Sequence, residues 1–279
     1  MLNKLNEVRA RHGLLPVSYD SSDDGAAAEA ALYMVANKGL THTPVSTGKC
    51  YSANAVRLAG RSNLYMSYRS SETRSMPSED SVVGYLIDRN VSSLGHRRWI
   101  LSPFLGQVSF GRVDGPVDGG MYSMASVLRV MGGERSNVSA MTTDFVAYPH
   151  GNYPSAEFST SEFLSFSAIA SKTSASANGS GQVSYAAAVV TVKNGSGQSL
   201  TVSGQTANYQ GYGLPNSLQW KVAGLQANTA YTVTISGVSV NGVTRQFQYP
   251  FRLQGLRQCT KKATRRWPLL TERLWISRS

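Results

Sequence analysis

Apolar positions in the first ninety or so residues recur at helical spacing, and clear stops separate them. Leu2, Leu5 and Val8 repeat through Met1 to His12 and Gly13 follows, which predicts an amphipathic helix and then a turn. Asp23 to Asn37 is alanine-rich, with Ala27, Ala30, Ala31 and Met34 on one side, acids at its start and Gly39 just past its end, and predicts a second helix. Ser78 can cap a third that runs to Arg89: Glu79 and Asp80 suit its first turn, Val82, Tyr85 and Leu86 form its stripe, and Asp88 lies near its end. After Pro103 the period changes. Residues 108–113 and 126–130 alternate apolar and polar side chains between Gly, Pro and Asp turns, and read as strands.

Helices first and strands later predict an α+β arrangement in which helices pack on a mostly antiparallel sheet. Beyond about residue 160 the helical signal stops. From Ser165 to Gln246 the charged residues are only Lys172, Lys193, Lys221 and Arg245, and Ser, Thr, Gly and Val dominate. Short strands with Asn-Gly turns at 178–179, 194–195 and 241–242 predict a β-sandwich. Residues 225–231, ending in Tyr231, read as the approach to a tyrosine corner of the kind found in immunoglobulin-like and fibronectin type III modules, which bind or space. The predicted organisation is an α+β domain over 1–160, an all-β sandwich over 161–251, and a tail over 252–279 with no clear period, expected to be disordered or added sequence.

With 279 residues the chain is long enough for two cores. The net charge is +11, but residues 252–279 carry eight Lys/Arg against Glu272 alone, and the rest holds 19 basic and 15 acidic groups. That body has no basic stripe interleaved with aromatics and no base-reading motif, so no specific nucleic-acid partner is expected. Cys50 and Cys259 are too few for a disulfide framework. No 18-residue apolar run occurs, so no transmembrane segment is expected, and no signal-type apolar core opens the chain.

The candidate chemistry centres on histidines. His96 sits in Ser93-Leu94-Gly95-His96-Arg97-Arg98-Trp99-Ile100-Leu101-Ser102-Pro103, between a glycine and a dense apolar-aromatic segment, and His42 follows the second helix in Gly39-Leu40-Thr41-His42-Thr43-Pro44. Two histidines 54 residues apart in matching contexts suggest one shared cavity. His12 is expected as a partner of its helix's C-terminal dipole, and His150, in a Pro/Gly-rich connection, as solvated. Of Arg97 and Arg98, at least one is expected to face solvent or pair with an acid such as Asp88; Trp99 is expected in the core and Cys50 as a small buried hydrophobe.

Residues 1 to about 160 resemble a bacterial member of the CAP superfamily, the group of cysteine-rich secretory proteins, insect antigen 5 and plant pathogenesis-related proteins. The resemblance rests on Leu5-Asn6-Glu7-Val8-Arg9 with Gly13-Leu14, on Gly39-Leu40-Thr41-His42, on Ser62-Asn63-Leu64, on Gly95 to Leu101, and on Phe145 to Pro149 followed by Gly151-Asn152-Tyr153-Pro154. It implies a three-layer α-β-α sandwich with a cleft of two histidines and two acids that often binds a divalent metal. By position the histidines are His42 and His96. The first acid belongs to a Glu-Asn-Leu motif, which here reads Ser62-Asn63-Leu64, so a hydroxyl replaces a carboxylate; the second matches Asp88, one methylene shorter than Glu. The implied tetrad is His42, Ser62, Asp88 and His96.

Such a set suggests several chemistries. His42 and His96, with Asp88, would make a first shell for Zn²⁺ with an open position for water, whereas the missing carboxylate disfavours calcium and magnesium. Without metal, Ser62 as nucleophile, a histidine as base and Asp88 as orienter are the residue types of a hydrolytic triad, although no G-x-S-x-G elbow occurs. Glycoside cleavage would need paired acids, for which Asp88 with Glu72 or Glu79 is the nearest pairing. The favoured expectation is a secreted or cell-envelope protein whose cleft binds a lipid, glycan or peptide-type ligand, the β-sandwich being an accessory module. The alternative is a hydrolase of a polymeric substrate through His42, His96 and Asp88, with or without zinc. The expected assembly is a monomer, or a weak homodimer across the sandwich edges.

Overall fold

The structure, a computed structural model, describes residues 1–70 and 76–255. The first part runs α1 (Leu2–Arg11), β1 (Ser18–Tyr19), α2 (Asp24–Asn37), α3 (Ala53–Ala59), β2 (Ser62–Arg69), α4 (Glu79–Ile87), α5 (Gly95–Ile100), β3 (Gln107–Val117) and β4 (Met121–Arg129). Its strands form one sheet of order β1-β3-β4-β2, antiparallel except that β1 runs parallel to β3. Side-chain alternation along the strands gives the sheet two apolar faces. Leu64, Ala125 and Val127 pack with Ala27, Ala30, Ala31 and Met34 of α2 and with Leu58 of α3. Val108 and Leu128 belong instead to the core that takes in Leu5 and Val8 of α1, Val82, Tyr85 and Leu86 of α4, and Ile100 of α5. Helices therefore cover both faces, as an α-β-α sandwich requires.

A buried arginine fixes α1 in this layer. Arg9 donates from Nε to Leu15 O at 2.9 Å and from Nη1 to Ile100 O and Ser102 O at 2.9 and 2.8 Å. The last two bonds fill carbonyls at and beyond the end of α5 that no helical N–H reaches. Burial lowers the Arg9 pKa to about 9.

Then come β5 (Phe145–Tyr148), β6 (Gly151–Pro154), β7 (Leu164–Ala168), β8 (Val183–Ser184), β9 (Val189–Asn194), β10 (Ser199–Leu200), β11 (Val202–Asn208), β12 (Ser217–Val222), β13 (Ala230–Val240) and β14 (Val243–Gln254). Among the described residues these form two sheets, β11-β12-β7-β5 and β10-β9-β13-β14-β6, with β8 on β13. Their side chains meet: the rings of Phe166 on β7 and Phe247 on β14 lie 5.0 Å apart, and Trp220 is wholly buried. Asn241 and Gly242, at φ 51° and 78°, form the two-residue turn between β13 and β14. The Tyr231 hydroxyl accepts from Gln226 N–H at 2.7 Å, the bond expected of a tyrosine corner. Asn178 serves another purpose than a hairpin: it is buried, and its Oδ1 accepts from the N–H groups of Ala170 and Ser171.

Some boundaries differ from those expected. Residues 145–154 pair with later strands, β5 with β7 and β6 in parallel with β14, so sheet pairing changes over between β4 and β5 and not near residue 160. β14 continues to Gln254, three residues into the predicted tail. Residues 256–279, with Cys259 and most of the tail's basic groups, lie outside the described residues.

His12 and His150 differ too. His12 does stand at the C-terminal end of α1 as expected, but its side chain is turned to other partners than the helix dipole: it is buried, with Nδ1 2.8 Å from Ala147 O and Nε2 3.2 Å from the Tyr153 hydroxyl, and so pins α1 to β5 and β6. His150 is half-buried, with its ring 5.9 Å from those of both Phe145 and Tyr249. Burial is the main cause that lowers the His12 pKa from 6.5 to about 3. Between those values the unfolded chain binds a proton that the folded chain excludes, so stability falls as pH falls. Urea unfolding should show wild type losing about 2 kcal/mol through this residue between pH 7 and pH 5. His12→Asn, whose amide can still donate to Ala147 O, should lack that loss; equal pH dependence in the two proteins would contradict a neutral, buried His12.

Candidate functional site

The site begins where α4 ends. Asp88 takes the left-handed conformation, φ 54°, turning the chain after Ile87, and its side chain is buried. Its Oδ1 accepts from His96 Nδ1 at 2.7 Å and its Oδ2 from the Arg97 N–H at 3.1 Å. The contact is returned, because the Arg97 guanidinium donates to Leu86 O at 2.6 Å and to Ile87 O at 2.7 Å. Thus the first turn of α5 is satisfied from the cap of α4, and the last carbonyls of α4 from α5. Asn90 and Leu94, between them, are also left-handed at φ 61° and 51°. For Leu94 this costs roughly 1–2 kcal/mol, which its complete burial offsets.

His42 lies in the loop after α2, where its Nδ1 is 2.7 Å from Ala59 O at the end of α3. A carbonyl only accepts, so Nδ1 carries the hydrogen; the Asp88 carboxylate requires the same of His96. An imidazole that carries its hydrogen on Nδ1 alone keeps a lone pair on Nε2. The two rings stack with centroids 6.4 Å apart and 21° between planes, and Tyr85 stacks on His96 at 5.6 Å. The Tyr85 hydroxyl donates to Asn63 O at 3.0 Å, and Asn63 Nδ2 donates to His96 O at 2.9 Å. Ser62, at the start of β2, is buried, and its Oγ has no hydrogen-bond partner.

His42, Ser62, His96, Trp99, Met131 and Tyr212 line a cleft of about 320 Å³. Of the four residues expected to meet, His42, Ser62 and His96 do so there. Asp88 stands behind His96, facing a neighbouring groove shared with Leu40, Leu64 and Tyr85. The zinc expectation can be tested on these donors. A catalytic zinc takes three protein ligands and a structural one four. The cleft offers two Nε2 atoms, Asp88 is committed to Nδ1 of His96 as an orienting partner, and among the described residues no three His, Cys, Asp or Glu side chains come together. Cys50 adds nothing, being an exposed free thiol and not a buried hydrophobe. The donor set does not fit a zinc site, and no chemistry is derived through one.

The metal-free alternatives lose a contact each. Ser62 Oγ bonds neither imidazole, so the nucleophile-to-base link of a triad is not made. Glu79, at the far end of α4 from Asp88, bonds the N-terminal amine at 3.3 Å. The nine residues of α4 span roughly 13 Å, beyond the 9.5 Å or so that paired glycosidase acids allow. Glu72 lies outside the described residues.

Arg97 and Arg98 are both buried, and neither guanidinium faces solvent or pairs with Asp88. Arg97 also donates to Phe163 O at 2.8 Å and Ser165 Oγ at 3.2 Å and lies 4.0 Å over the Tyr148 ring. Burial lowers its pKa, and Tyr148 and Asp88 push back upward. Arg98 donates to Asn208 Oδ1 at 2.7 Å, to Leu214 O at 3.0 Å and to Gln210 O. Trp99, expected in the core, is half-buried on the cleft wall. Tyr212 was not anticipated; its one local signal is a flanking glycine on each side. Replacing Arg97 by Lys removes the planar fork that serves four acceptors at once. Arg97→Lys should lower urea-unfolding stability by about 3 kcal/mol, and Arg61→Lys, at an exposed position, by less than about 0.5 kcal/mol. Equal, small effects would contradict the clamp.

Comparison with known proteins bears on the first half of the chain. Nothing among the curated proteins matches it. Among solved structures, the crystal structure of MpPR-1i is similar over 47% of this chain and 84% of its own, at 14% identity and a TM-score of 0.30. The family model of the cysteine-rich secretory protein family, CAP, matches residues 2–125. Those residues hold α1 to α5, the whole four-stranded sheet but for its last few positions, and the two cleft histidines, and they are a CAP domain.

Proposed function

We propose that this chain is a secreted or cell-envelope CAP-domain protein whose histidine-lined cleft binds a lipid, glycan or peptide-type ligand. In this reading the strands after β4 form an immunoglobulin-like β-sandwich that acts as an accessory module. The observation that carries it is the pair of imidazoles, each fixed through Nδ1 by the framework and each left with Nε2 available at one cleft of about 320 Å³. Fixed polar groups among Trp99, Met131 and Val91 are the makeup of a ligand site, where a few placed polar atoms orient a partner held by apolar walls. Secretion rests on the CAP domain, since CAP proteins are generally secreted. No helix among the described residues is long and apolar enough to cross a membrane. The two-module division rests on strand pairing, which keeps β1 to β4 in one sheet and β5 to β14 in two others.

One observation favours a second reading, hydrolysis of a polymer. Asp88 holds the His96 Nδ1–H as the acid of a catalytic dyad holds its base, which leaves Nε2 as the atom that would take a proton from water or a hydroxyl. It is the weaker reading because no nucleophile in the cleft is bonded to that Nε2.

Wild type and a His42→Ala/His96→Ala variant, matched for melting temperature, separate the two readings when assayed with lipids, oligosaccharides and peptides. Saturable binding weakened at least tenfold in the variant, with no product released, is the expected result. Product formation by wild type alone would establish the hydrolase instead.

A further inference from the structure

We propose that the cleft is a composite carbohydrate subsite, in which Trp99 of α5 and Tyr212 of the β11–β12 connection are ring-stacking walls and His42, Ser62 and His96 are partners for sugar hydroxyls. This rests on the ligand-binding reading above and adds a ligand class and a residue outside the CAP domain.

The ligand class follows from what the cleft presents. Trp99 and Tyr212 both line it, so two aromatic side chains border one cleft of about 320 Å³. His42, Ser62 and His96 line it with them; Ser62 Oγ is buried without a hydrogen-bond partner, and because Nδ1 of each histidine is taken by Ala59 O or by Asp88, Nε2 is the nitrogen each has left for a ligand. No Lys, Arg, Asp or Glu lines the cleft. An alkyl chain would leave those polar atoms dry and unpaired, and an anionic ligand would meet no cation. A neutral ring with apolar C–H faces and a rim of hydroxyls satisfies both sets of groups. Indole and phenol side chains suit that task because each joins a flat apolar face to a polar edge.

Tyr212 is not a passing surface residue. The Arg98 guanidinium lies 5.4 Å from its ring centroid and holds its loop through Asn208 Oδ1, Gln210 O and Leu214 O. A Cβ built on Gly213, at φ 69°, would fall 2.5 Å from Arg98 O, so only glycine lets the loop lie this close to α5. A Cβ on Gly95 would meet the Tyr212 ring at 3.5 Å, which places that ring against the start of the helix that carries His96. Gln219 Nε2 donates to Ser92 O at 3.0 Å and ties β12 to the segment that leads into α5. A wall anchored at so many points is set before any ligand arrives, which lowers the entropy lost on binding.

Calorimetric titration of the full chain with β-1,4-linked tetrasaccharides of glucose and of N-acetylglucosamine, alongside a lysophospholipid, tests this. Wild type, Tyr212→Ala, Tyr212→Phe and His42→Ala would be compared after their melting temperatures are matched. At least one tetrasaccharide should bind saturably, at least tenfold more weakly in Tyr212→Ala and in His42→Ala and within about threefold of wild type in Tyr212→Phe. Binding lost in His42→Ala but unchanged in Tyr212→Ala would overturn the composite wall and leave the cleft reading standing. Binding unchanged in both would overturn the cleft reading itself. If neither tetrasaccharide binds wild type, with or without lysophospholipid binding, the carbohydrate assignment fails.

Discussion

Everything around the cleft hangs on one reciprocal contact between the end of α4 and the start of α5. Asp88 closes α4 and reaches forward to His96 Nδ1 and the Arg97 N–H, while the Arg97 side chain reaches back to the carbonyls of Leu86 and Ile87. Burying a carboxylate and a guanidinium costs several kcal/mol per ion, and it is tolerable only if nearly every donor and acceptor finds a partner. Here they do, through backbone groups at two helix ends that would otherwise lack partners. The orientation of His96 is a by-product of that requirement: the group that satisfies the helix start also fixes the ring.

The same short helix also fastens the two halves of the chain. Arg97 goes on to Phe163 O and Ser165 Oγ, and Arg98 gathers the loop that brings Tyr212 to the cleft. Consecutive arginines on a helix point in different directions, so α5 can bind α4 and β7 on one side and the β11–β12 connection on the other. Arg9 adds the bond from α1 to the end of α5. A helix of six residues is too short to be stable alone, and its position comes from these side chains and not from its own propensity. The cleft therefore has a rigid floor from the CAP domain and one wall from the strands that follow.

Much of the frame was legible in the sequence because its signals are local. The periodicity of α1, α2 and α4, their stops, and the Asn241-Gly242 turn each depend on a few neighbouring residues. The meeting of His42 with His96 was suggested by their matching sequence contexts and given its tetrad by family resemblance, since no periodicity brings residues of different loops together. Asp88 was visible as an acid near a helix end, but not its left-handed turn, which takes its carboxylate out of the cleft and behind His96. Arg97 and Arg98 were misplaced because arginine is seldom buried, and only tertiary structure shows that helix-end and loop carbonyls await them. His12 failed for a similar reason: its partners, Ala147 O and Tyr153, lie on short strands in a segment rich in proline and glycine, where no periodicity announces a strand. Tyr212 was beyond reach, as nothing local links it to a helix more than a hundred residues earlier.

The central claim is that the framework takes Nδ1 of both cleft histidines and leaves both Nε2 atoms for a ligand. Long-range ¹H–¹⁵N spectra of the full chain, recorded at a pH where both imidazoles are neutral and assigned with single His42 and His96 replacements, read this directly. The account predicts the Nδ1–H tautomer for both rings, with Nε2 unprotonated. An Nε2–H tautomer at either ring would mean that Ala59 O or Asp88 does not hold it as described, and would contradict the account.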